Sequence, residues 1–400
     1  MRFAHIADIH IGGWKDPKLS LASSKVFAKT IDEIKEKKAD FLLIAGDLFN
    51  TSLPAIDKLK EVVSKLKELQ DAGIPAYIIA GSHDFSPSGK TMVEVLEEAG
   101  LVINVVRGEV AENKLKLKFT SDEKTGAKIT GMLGKKGGLD KKYYEDLDKE
   151  NLEKEEGYKI FMFHTALTEF KPEGMEKMDS APLSLLPKGF DYYAGGHVHY
   201  IFEKKEEGYG LITYPGALFP NSFSELEKWK HGGYYLITDE GYSYNPVIIH
   251  EVESIIINSE HYNPEELEKE IMTEIDKKDM KDKIVTIRVK GTLESGRITD
   301  IHFKELIDKC HEKGAYAVLK NTNALTTKEL EEIKTERFED AAEAEEKLIK
   351  EHLGQIKAGF DEEDTAKKLM KALDSEKMEG EKNLDYEKRI LEEIRKIITL

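Results

Sequence analysis

This sequence of 400 residues contains a single cysteine, Cys310, and only two tryptophans. With one cysteine there is neither a disulfide pair nor a metal site of several thiolates, and we expect a protein of the reducing cytoplasm. Cys310 itself is interpreted as a small buried or half-buried side chain. No apolar run approaches the ~20 residues of a transmembrane helix, and the first residues read directly as a strand. We therefore expect neither a membrane span nor a signal peptide.

Basic residues are also in the minority. The 60 Lys and Arg stand against 77 Asp and Glu, and the formal net charge is −17. This balance argues against a generally basic surface that coats nucleic acid, although a local basic track or phosphate binding through metal ions is compatible with it. The length suits two or three domains with a sizeable core.

Five short apolar runs end in side chains of the kinds that bind metal ions. The runs are rich in β-branched and aromatic residues, which predicts buried strands. The side chains at their ends are Asp8 and His10, then Asp47, then Ser82, His83 and Asp84, then His164, and finally His197 and His199. Because ligand-binding groups in open α/β sheets gather at the carboxyl ends of strands, the five ends predict one shared metal site.

The residue types at these ends indicate phosphoryl chemistry. Oxygen and nitrogen ligands without thiolate suit Mn²⁺, Fe or Zn²⁺, and a shared carboxylate such as Asp47 suits two ions about 3.5–4 Å apart. Two such ions polarise a phosphoryl oxygen, generate a hydroxide nucleophile near neutral pH and stabilise the leaving group. His83 is a candidate general acid or transition-state stabiliser, and we expect the neighbouring Asp84 to orient it.

Strands and helices alternate over residues 1–250, which predicts an α/β fold. Helices are expected at about 19–38, 54–72, 89–99 and 140–155. Runs rich in Tyr, Ile and Val are expected to be antiparallel strands that close a second sheet, at 210–214, 233–238 and 242–252.

The composition changes twice after residue 255. Residues 256–320 read as a small α+β domain, with helices at 262–277 and 300–313 and strands at 284–290 and 315–319. Residues 321–336 are interpreted as a linker. Residues 337–400 carry narrow apolar stripes at helical spacing: Leu348, Leu353, Ile356, Phe360, Leu369, Met370, Leu373, Ile390, Leu391, Ile394, Ile397 and Ile398. Such stripes cannot build a core alone, so this segment is either a loosely ordered tail or a set of helices whose apolar faces a partner buries.

Taken together, the strand-end motifs resemble the signature of calcineurin-like metallophosphoesterases. The motifs are DxH at 8–10, GD at 46–47, GSHD at 81–84, the lone His164 after a strand, and GHxH at 196–199. Within that superfamily, FAHIADIHIG, LLIAGDLFN, YYAGGHVH and YPGAL resemble the meiotic-recombination-eleven type of double-strand-break repair nuclease.

The resemblance implies a complete architecture and function. The fold would be a two-sheet metallophosphoesterase sandwich flanked by helices at 1–255, with a DNA-capping domain at 256–320. A helical segment at 337–400 would dock on the coiled-coil base of an SMC-like ABC ATPase. The activity would be metal-dependent exonuclease or endonuclease cleavage of DNA ends during break repair. A homodimer would form through the helices at about 54–72 and 89–99.

The resemblance also implies roles for the site residues, with two divalent ions, most simply Mn²⁺. One ion would be bound by Asp8, His10 and His199, Asp47 would bridge, and the second ion would be held by His164 and His197. His83 would assist the leaving group or the transition state.

Two positions depart from the family pattern. Ser82 stands where the family usually has Asn, and a hydroxyl is a shorter and weaker ligand than an amide carbonyl, so we expect the second ion to bind through water or less tightly. Asn50 stands where the family often has a His that helps exonucleolytic cutting. Because an amide cannot carry a proton at neutral pH, this change favours endonuclease over exonuclease activity.

Two other functions stay open on the sequence. A phosphoesterase acting on small-molecule or protein phosphate esters would use the same motifs, but residues 256–400 would then be unexplained. A non-catalytic scaffold with a degenerate metal site is suggested by Ser82 alone, and the intact set of His and Asp residues argues against it.

Overall fold

The computed structural model describes residues 1–86, 89–111, 113–135, 141–175, 177–328, 349, 361–373, 375 and 383–398. These residues divide into two compact units. The first comprises Met1–Glu253, Lys281–Thr286 and Ala315–Ala317, and the second comprises Ser254–Met280, Ile287–Gly314 and the described residues from Val318 onward. Within the described ranges, no helix combines the length and apolar character needed to cross a membrane.

Two six-stranded sheets form the first unit. The first sheet has the order β14-β13-β1-β2-β3-β4. Its strands are β1 (Phe3–Ile6), β2 (Phe41–Ala45), β3 (Ala76–Ile79), β4 (Ile103–Asn104), β13 (Gly232–Thr238) and β14 (Gly241–Val247). The second sheet has the order β11-β12-β10-β9-β8-β7. Its strands are β7 (Thr120–Ser121), β8 (Lys128–Gly131), β9 (Lys159–His164), β10 (Tyr192–Gly196), β11 (Phe202–Lys205) and β12 (Leu211–Tyr214). A separate hairpin pairs β5 (Gly108–Ala111) with β6 (Lys114–Leu117).

The two sheets pack face to face, so the two-sheet sandwich expected from the sequence is confirmed. Phe3, Phe41 and Tyr77 from the first sheet share one buried apolar cluster with Ile160 and Tyr192 from the second. All residues of β2 are buried. Because both faces of a strand in this position are covered, it reads in the sequence as a continuous apolar run rather than an alternating one.

Among the described residues, six α-helices accompany the sandwich: α1 (Pro17–Glu36), α2 (Ile56–Asp71), α3 (Met92–Glu98), α4 (Lys141–Glu145), α5 (Lys149–Glu153) and α6 (Phe223–Trp229). Helix α1 begins at Pro17 because the Asp16 side chain accepts hydrogen bonds from the amides of Lys18 and Leu19. The single helix expected at 140–155 is instead two short helices. The backbone between them pairs with Leu115, which interrupts the helical hydrogen bonding.

The expected grouping of the strands after residue 230 was wrong. Strand β13 pairs antiparallel with β1, and β14 pairs with β13, so both extend the first sheet. Strand β12 does join the second sheet as expected, where it pairs antiparallel with β11 and parallel with β10. Pro246 lies in β14, an edge strand, where its missing N–H disturbs the sheet least.

Further along the chain, a three-stranded sheet has the order β15-β16-β17. Its strands are β15 (Val252–Asn258), β16 (Ile284–Leu293) and β17 (Ala317–Thr327), and its helices are α7 (Pro264–Lys277) and α8 (Phe303–Glu312). Helix α7 begins with a capping box between Asn263 and Glu266. Cys310 is buried on α8, as expected. Burial raises the pKa of its thiol to about 11, so the thiol stays protonated.

Two helices are described in the last segment, α9 (Glu362–Leu373) and α10 (Asn383–Ile398). Strand β17 continues to Thr327, so the first part of the predicted linker is sheet, and the rest of the linker from residue 329 lies outside the described residues. The predicted apolar positions Leu348, Leu353, Ile356 and Phe360 also lie outside them.

Candidate metal centre

The five sequence motifs meet at the carboxyl ends of β1, β2, β3, β9 and β10. The loops that follow β1 and β2 stay connected beyond the strands, because the Asp8 amide donates to the Gly46 carbonyl (3.2 Å) and the His10 amide donates to the Asp47 carbonyl (3.0 Å). The His197 amide lies 3.0 Å from both carboxylate oxygens of Asp8. Asp8 thus links the loop after β1 to the loop after β10, and the two sheets contribute to one site.

Backbone strain is concentrated at the same residues. Asp8, His10, Asp47 and His197 have φ angles of 49°, 47°, 51° and 86°. Residues with side chains rarely adopt this left-handed region, and each instance costs roughly 1–3 kcal/mol unless the surroundings enforce it. Here the hydrogen bonds between the loops hold the conformation, which turns the side chains toward one another.

The side-chain distances fit the coordination of divalent ions. His10 Nε2 and His199 Nε2 lie 3.1 Å apart, and His164 Nε2 lies 3.2 Å from Asp47 Oδ2. Ligand atoms that bind one ion octahedrally at about 2.1 Å lie about 3 Å from one another. Two imidazole nitrogens that face each other this closely, beside buried carboxylates, are an arrangement that a shared cation stabilises.

Three groups of side chains place their ligand atoms within 4.8 Å of one another: Asp8, His10 and His199; His10, Asp47 and His83; and Asp8, Asp47 and His164. His197 belongs to none of these groups in the described part of the chain, although its ring centroid lies 5.2 Å from that of His164. Ser82 Oγ donates to Asp47 Oδ2 at 3.4 Å. All seven predicted ligands therefore lie at one place, while their assignment to particular ions stays a prediction.

The protonation states follow from burial and from the carboxylates. Burial lowers the pKa of His10 to about 3 and that of His197 to about 4, so both imidazoles are neutral and carry a free lone pair. Burial also raises the pKa of Asp8 to about 6. Burial opposes ionisation of both Asp47 and His164, but their mutual attraction is stronger. It holds the pKa of Asp47 well below its usual range and raises that of His164 to about 10.

Close backbone approach explains the glycines around His164. Its Nδ1 contacts the Ala45 carbonyl at 2.8 Å, which turns Nε2 toward Asp47. A Cβ atom at Gly46 would lie 2.3 Å from His164 Nδ1, and one at Gly134 would lie 2.4 Å from His164 Cδ2. These distances are too short for any side chain, so the position of this imidazole requires glycine on both sides.

Sequence reasoning missed the groups that orient two of the histidines. His199 Nδ1 lies 3.0 Å from Glu225 Oε1, on helix α6, which was not predicted. His83 Nδ1 lies 2.8 Å from the backbone carbonyl of Asn50. The spacing of Ser222 and Glu225 is that of a capping box, which could have indicated the helix but not the contact with His199.

The expectation that Asp84 orients His83 was wrong. Asp84 Oδ2 accepts hydrogen bonds from the amides of Asp47 (3.0 Å) and Gly81 (2.8 Å), and Oδ1 accepts one from the amide of Phe49 (3.4 Å). The adjacent side chains point in different directions because both oxygens of Asp84 are directed at the backbone. Asp84 thus positions the loops that carry Asp47 and His83.

Comparison with known proteins supports the chemistry of this site. Residues 1–200 match the family described as calcineurin-like phosphoesterase. The "DNA double-strand break repair protein Mre11" of Methanopyrus kandleri is 30% identical over 259 residues, which are 59% of this chain and 54% of that protein. The protein of the same name from Methanocaldococcus jannaschii is 30% identical over 276 residues, 66% of this chain and 68% of its own length. The one from Archaeoglobus fulgidus is 26% identical over 364 residues, 88% of this chain and 75% of its own. The chain thus spans only about half of the Methanopyrus protein.

Proposed function

This chain belongs to the calcineurin-like phosphoesterase family, and on that premise we propose that it is a metal-dependent nuclease that hydrolyses phosphodiester bonds at DNA ends during double-strand-break repair. The observation that carries the proposal is the similarity to the Archaeoglobus Mre11 protein over 88% of the chain. A phosphoesterase that acts on small-molecule or protein esters need share only the sandwich and its motifs. The similarity instead continues well beyond residue 255.

Two divalent ions, taken as Mn²⁺ from the family resemblance, would supply Lewis acidity at the phosphoryl group and an activated water. Asp8, His10 and His199 would hold one ion, and His164 and His197 the other. Asp47 would serve both. Ser82 would support the second ion less firmly than the amide usual in this family, because its hydroxyl is a weaker ligand.

His83 is the residue that handles the leaving group in this proposal. Its Nδ1 is held by the Asn50 carbonyl, so the opposite edge of the ring is presented to the site, where its centroid lies 4.9 Å from that of His10. From this position the imidazole would donate a proton to the departing oxygen or stabilise the negative charge of the transition state. The Asn50 amide, which contacts Asn221 at 3.3 Å, has no titratable proton, which favours endonuclease activity.

The remaining parts of the chain would serve DNA and protein partners in the cytoplasm. We propose that the domain at 256–320 caps the bound DNA and that the segment at 337–400 binds the coiled-coil base of an SMC-like ABC ATPase. Helices α9 and α10 leave Met370, Leu373 and Leu391 exposed, and these are apolar side chains that such a partner would cover. We also propose a homodimer through α2 and α3, near which Leu53, Ile56 and Val95 are exposed.

Cleavage of end-labelled linear and hairpin DNA with Mn²⁺, with and without the ATPase, tests this function. Wild-type protein is expected to cut both substrates. Asp47→Asn is expected to cut neither, because a neutral amide replaces the carboxylate that would serve both ions. Efficient hydrolysis of phosphomonoesters together with inert DNA would contradict the proposal and favour the general phosphoesterase.

A further inference from the structure

One lysine at the rim of the metal centre lies close to two aromatic rings. Lys135 Nζ lies 5.8 Å from the ring centroid of Phe85 and 5.0 Å from that of Tyr143, and it donates a hydrogen bond to the Tyr143 hydroxyl at 2.9 Å. We call Phe85, Lys135 and Tyr143 the rim cluster. Such contacts fix the ammonium group and lower the entropy lost when it binds a ligand.

Two backbone attachments place the rim cluster beside the site. Phe85 directly follows the Ser82–Asp84 loop. In the segment that follows β8, the Gly134 amide donates to the Ala80 carbonyl at 2.9 Å, and the Gly134 backbone lies against the ring of His164. Lys135 is the next residue, so its side chain begins next to the histidines that would surround the scissile phosphate.

The ammonium group of Lys135 is available to an anion. In the described part of the chain it forms no ion pair with a carboxylate, whereas many other lysines of this acidic protein do. Its hydrogen bond to Tyr143 uses one of three donors. Tyr143 is 37% exposed, so part of this residue is accessible to a second flat group.

We propose that the rim cluster is a nucleotide subsite that binds the DNA residue next to the scissile phosphate. Lys135 would contact the phosphate of that nucleotide, and its base would stack on the exposed Tyr143 ring, with Phe85 supporting the lysine from behind. The combination of a cation and an open aromatic face is how proteins bind single-stranded nucleic acid without reading its sequence. The inference rests on the proposed nuclease function and specifies how the strand is held in this site.

The test uses the full chain and two measurements. The first is the equilibrium affinity for a short fluorescent single-stranded oligonucleotide as a function of salt, without Mn²⁺. The second is the ratio of kcat/KM for that oligonucleotide to kcat/KM for bis(p-nitrophenyl) phosphate, which has no neighbouring nucleotide. The variants are Lys135→Met and Tyr143→Ala. The matched control is Lys188→Met, which removes another lysine near a tyrosine ring, 5.8 Å from the Tyr209 centroid, at the amino end of β10, away from the metal centre.

Lys135→Met is expected to weaken oligonucleotide binding and to reduce the salt slope by about 0.7, the contribution of one contact with a single-stranded phosphate. Tyr143→Ala is expected to weaken binding about tenfold with little change in salt slope, because stacking is lost. Both should lower the kcat/KM ratio, and Lys188→Met should lower neither quantity. Wild-type affinity in both rim variants would overturn the subsite. A wild-type chain that binds the oligonucleotide and hydrolyses the small ester but does not cut DNA would instead refute the nuclease function, with the subsite still decided by the affinities.

Discussion

The orientation of the Asp47 side chain is fixed by its neighbours in the site. Its Oδ1 accepts a hydrogen bond from the His83 amide at 2.7 Å, and its Oδ2 faces His164 at 3.2 Å and His10 at 3.7 Å. The left-handed backbone at this residue permits that orientation. Asp84 holds it in place by accepting a hydrogen bond from the Asp47 amide. The orientation of a proposed ligand thus depends on a side chain, Asp84, that lies outside the proposed ligand set.

Glu225 is expected to be such a residue, a positioning group for His199. Removing the carboxylate charge in Glu225→Gln should lower the basicity of the His199 imidazole and hold its ring less firmly. The affinity for Mn²⁺ should therefore fall about 10–100-fold. Calorimetric titration with Mn²⁺ measures this, with circular dichroism to confirm the fold. Glu227→Gln, two residues further along α6, makes the same change on another side of the helix and should keep wild-type affinity. Equal affinity in all three proteins would show that the contact does not tune the ligand.

Asp84→Asn should lower the free energy of unfolding. An amide can accept on one side only, so at least one buried backbone N–H loses its partner, at about 1–3 kcal/mol. The free energy of unfolding of the metal-free protein, measured in urea, should fall by about that amount. His83→Ala should lower turnover and leave stability nearly unchanged. An Asp84→Asn variant as stable as the wild type would contradict the assigned role of Asp84 in holding these backbone amides.

At the scale of elements, the strands that carry the ligands could be predicted, but the sheet to which β13 and β14 belong could not. Strands such as β2 are covered on both faces and therefore read as short apolar runs that end abruptly in polar residues. Periodicity identifies β13 as a strand, but it carries no information on which sheet it joins. Helix α6 and its Glu225 were missed because the helix is short, with one buried apolar residue, Leu226, to give it a periodic signal. Contacts through backbone carbonyls, such as Asn50 with His83, leave no trace in residue type.

The helices α9 and α10 carry the prediction about the partner. Leu373 is 60% exposed and Leu391 is 54% exposed, and covering them would remove apolar area from water at ~25 cal/mol per Å². The double variant Leu373→Ser/Leu391→Ser should lose pull-down of the ATPase while retaining Mn²⁺-dependent hydrolysis of a simple phosphodiester.

The matched control for these helices is Lys371→Ser/Glu392→Ser, which alters exposed polar residues on the same two helices and preserves net charge. It should bind the ATPase like the wild type. If both double variants bind equally well, the partner surface lies elsewhere on the chain.

At the scale of the whole molecule, the net charge of −17 means that DNA, the proposed substrate, would have to be attracted by local cations and by metal ions rather than by the general surface. Two copies of the site would hold a DNA end better than one, and the exposed apolar side chains near α2 and α3 indicate where copies would meet. Ile56 is 84% exposed in the single chain. Ile56→Glu should therefore convert a dimer to a monomer in light scattering, whereas Val110→Glu, at a site that is 76% exposed on β5, should leave the dimer intact. A monomeric wild type would contradict the proposal.

The count of Mn²⁺ ions per chain tests the central claim most directly, because the five strand ends are proposed to hold two ions that share Asp47. Equilibrium dialysis against Mn²⁺, followed by metal analysis, should give two ions per chain for the wild type and at most one for Asp47→Asn, whose fold is checked by circular dichroism. A single ion at saturation in the wild type, or two ions retained in folded Asp47→Asn, would contradict the account.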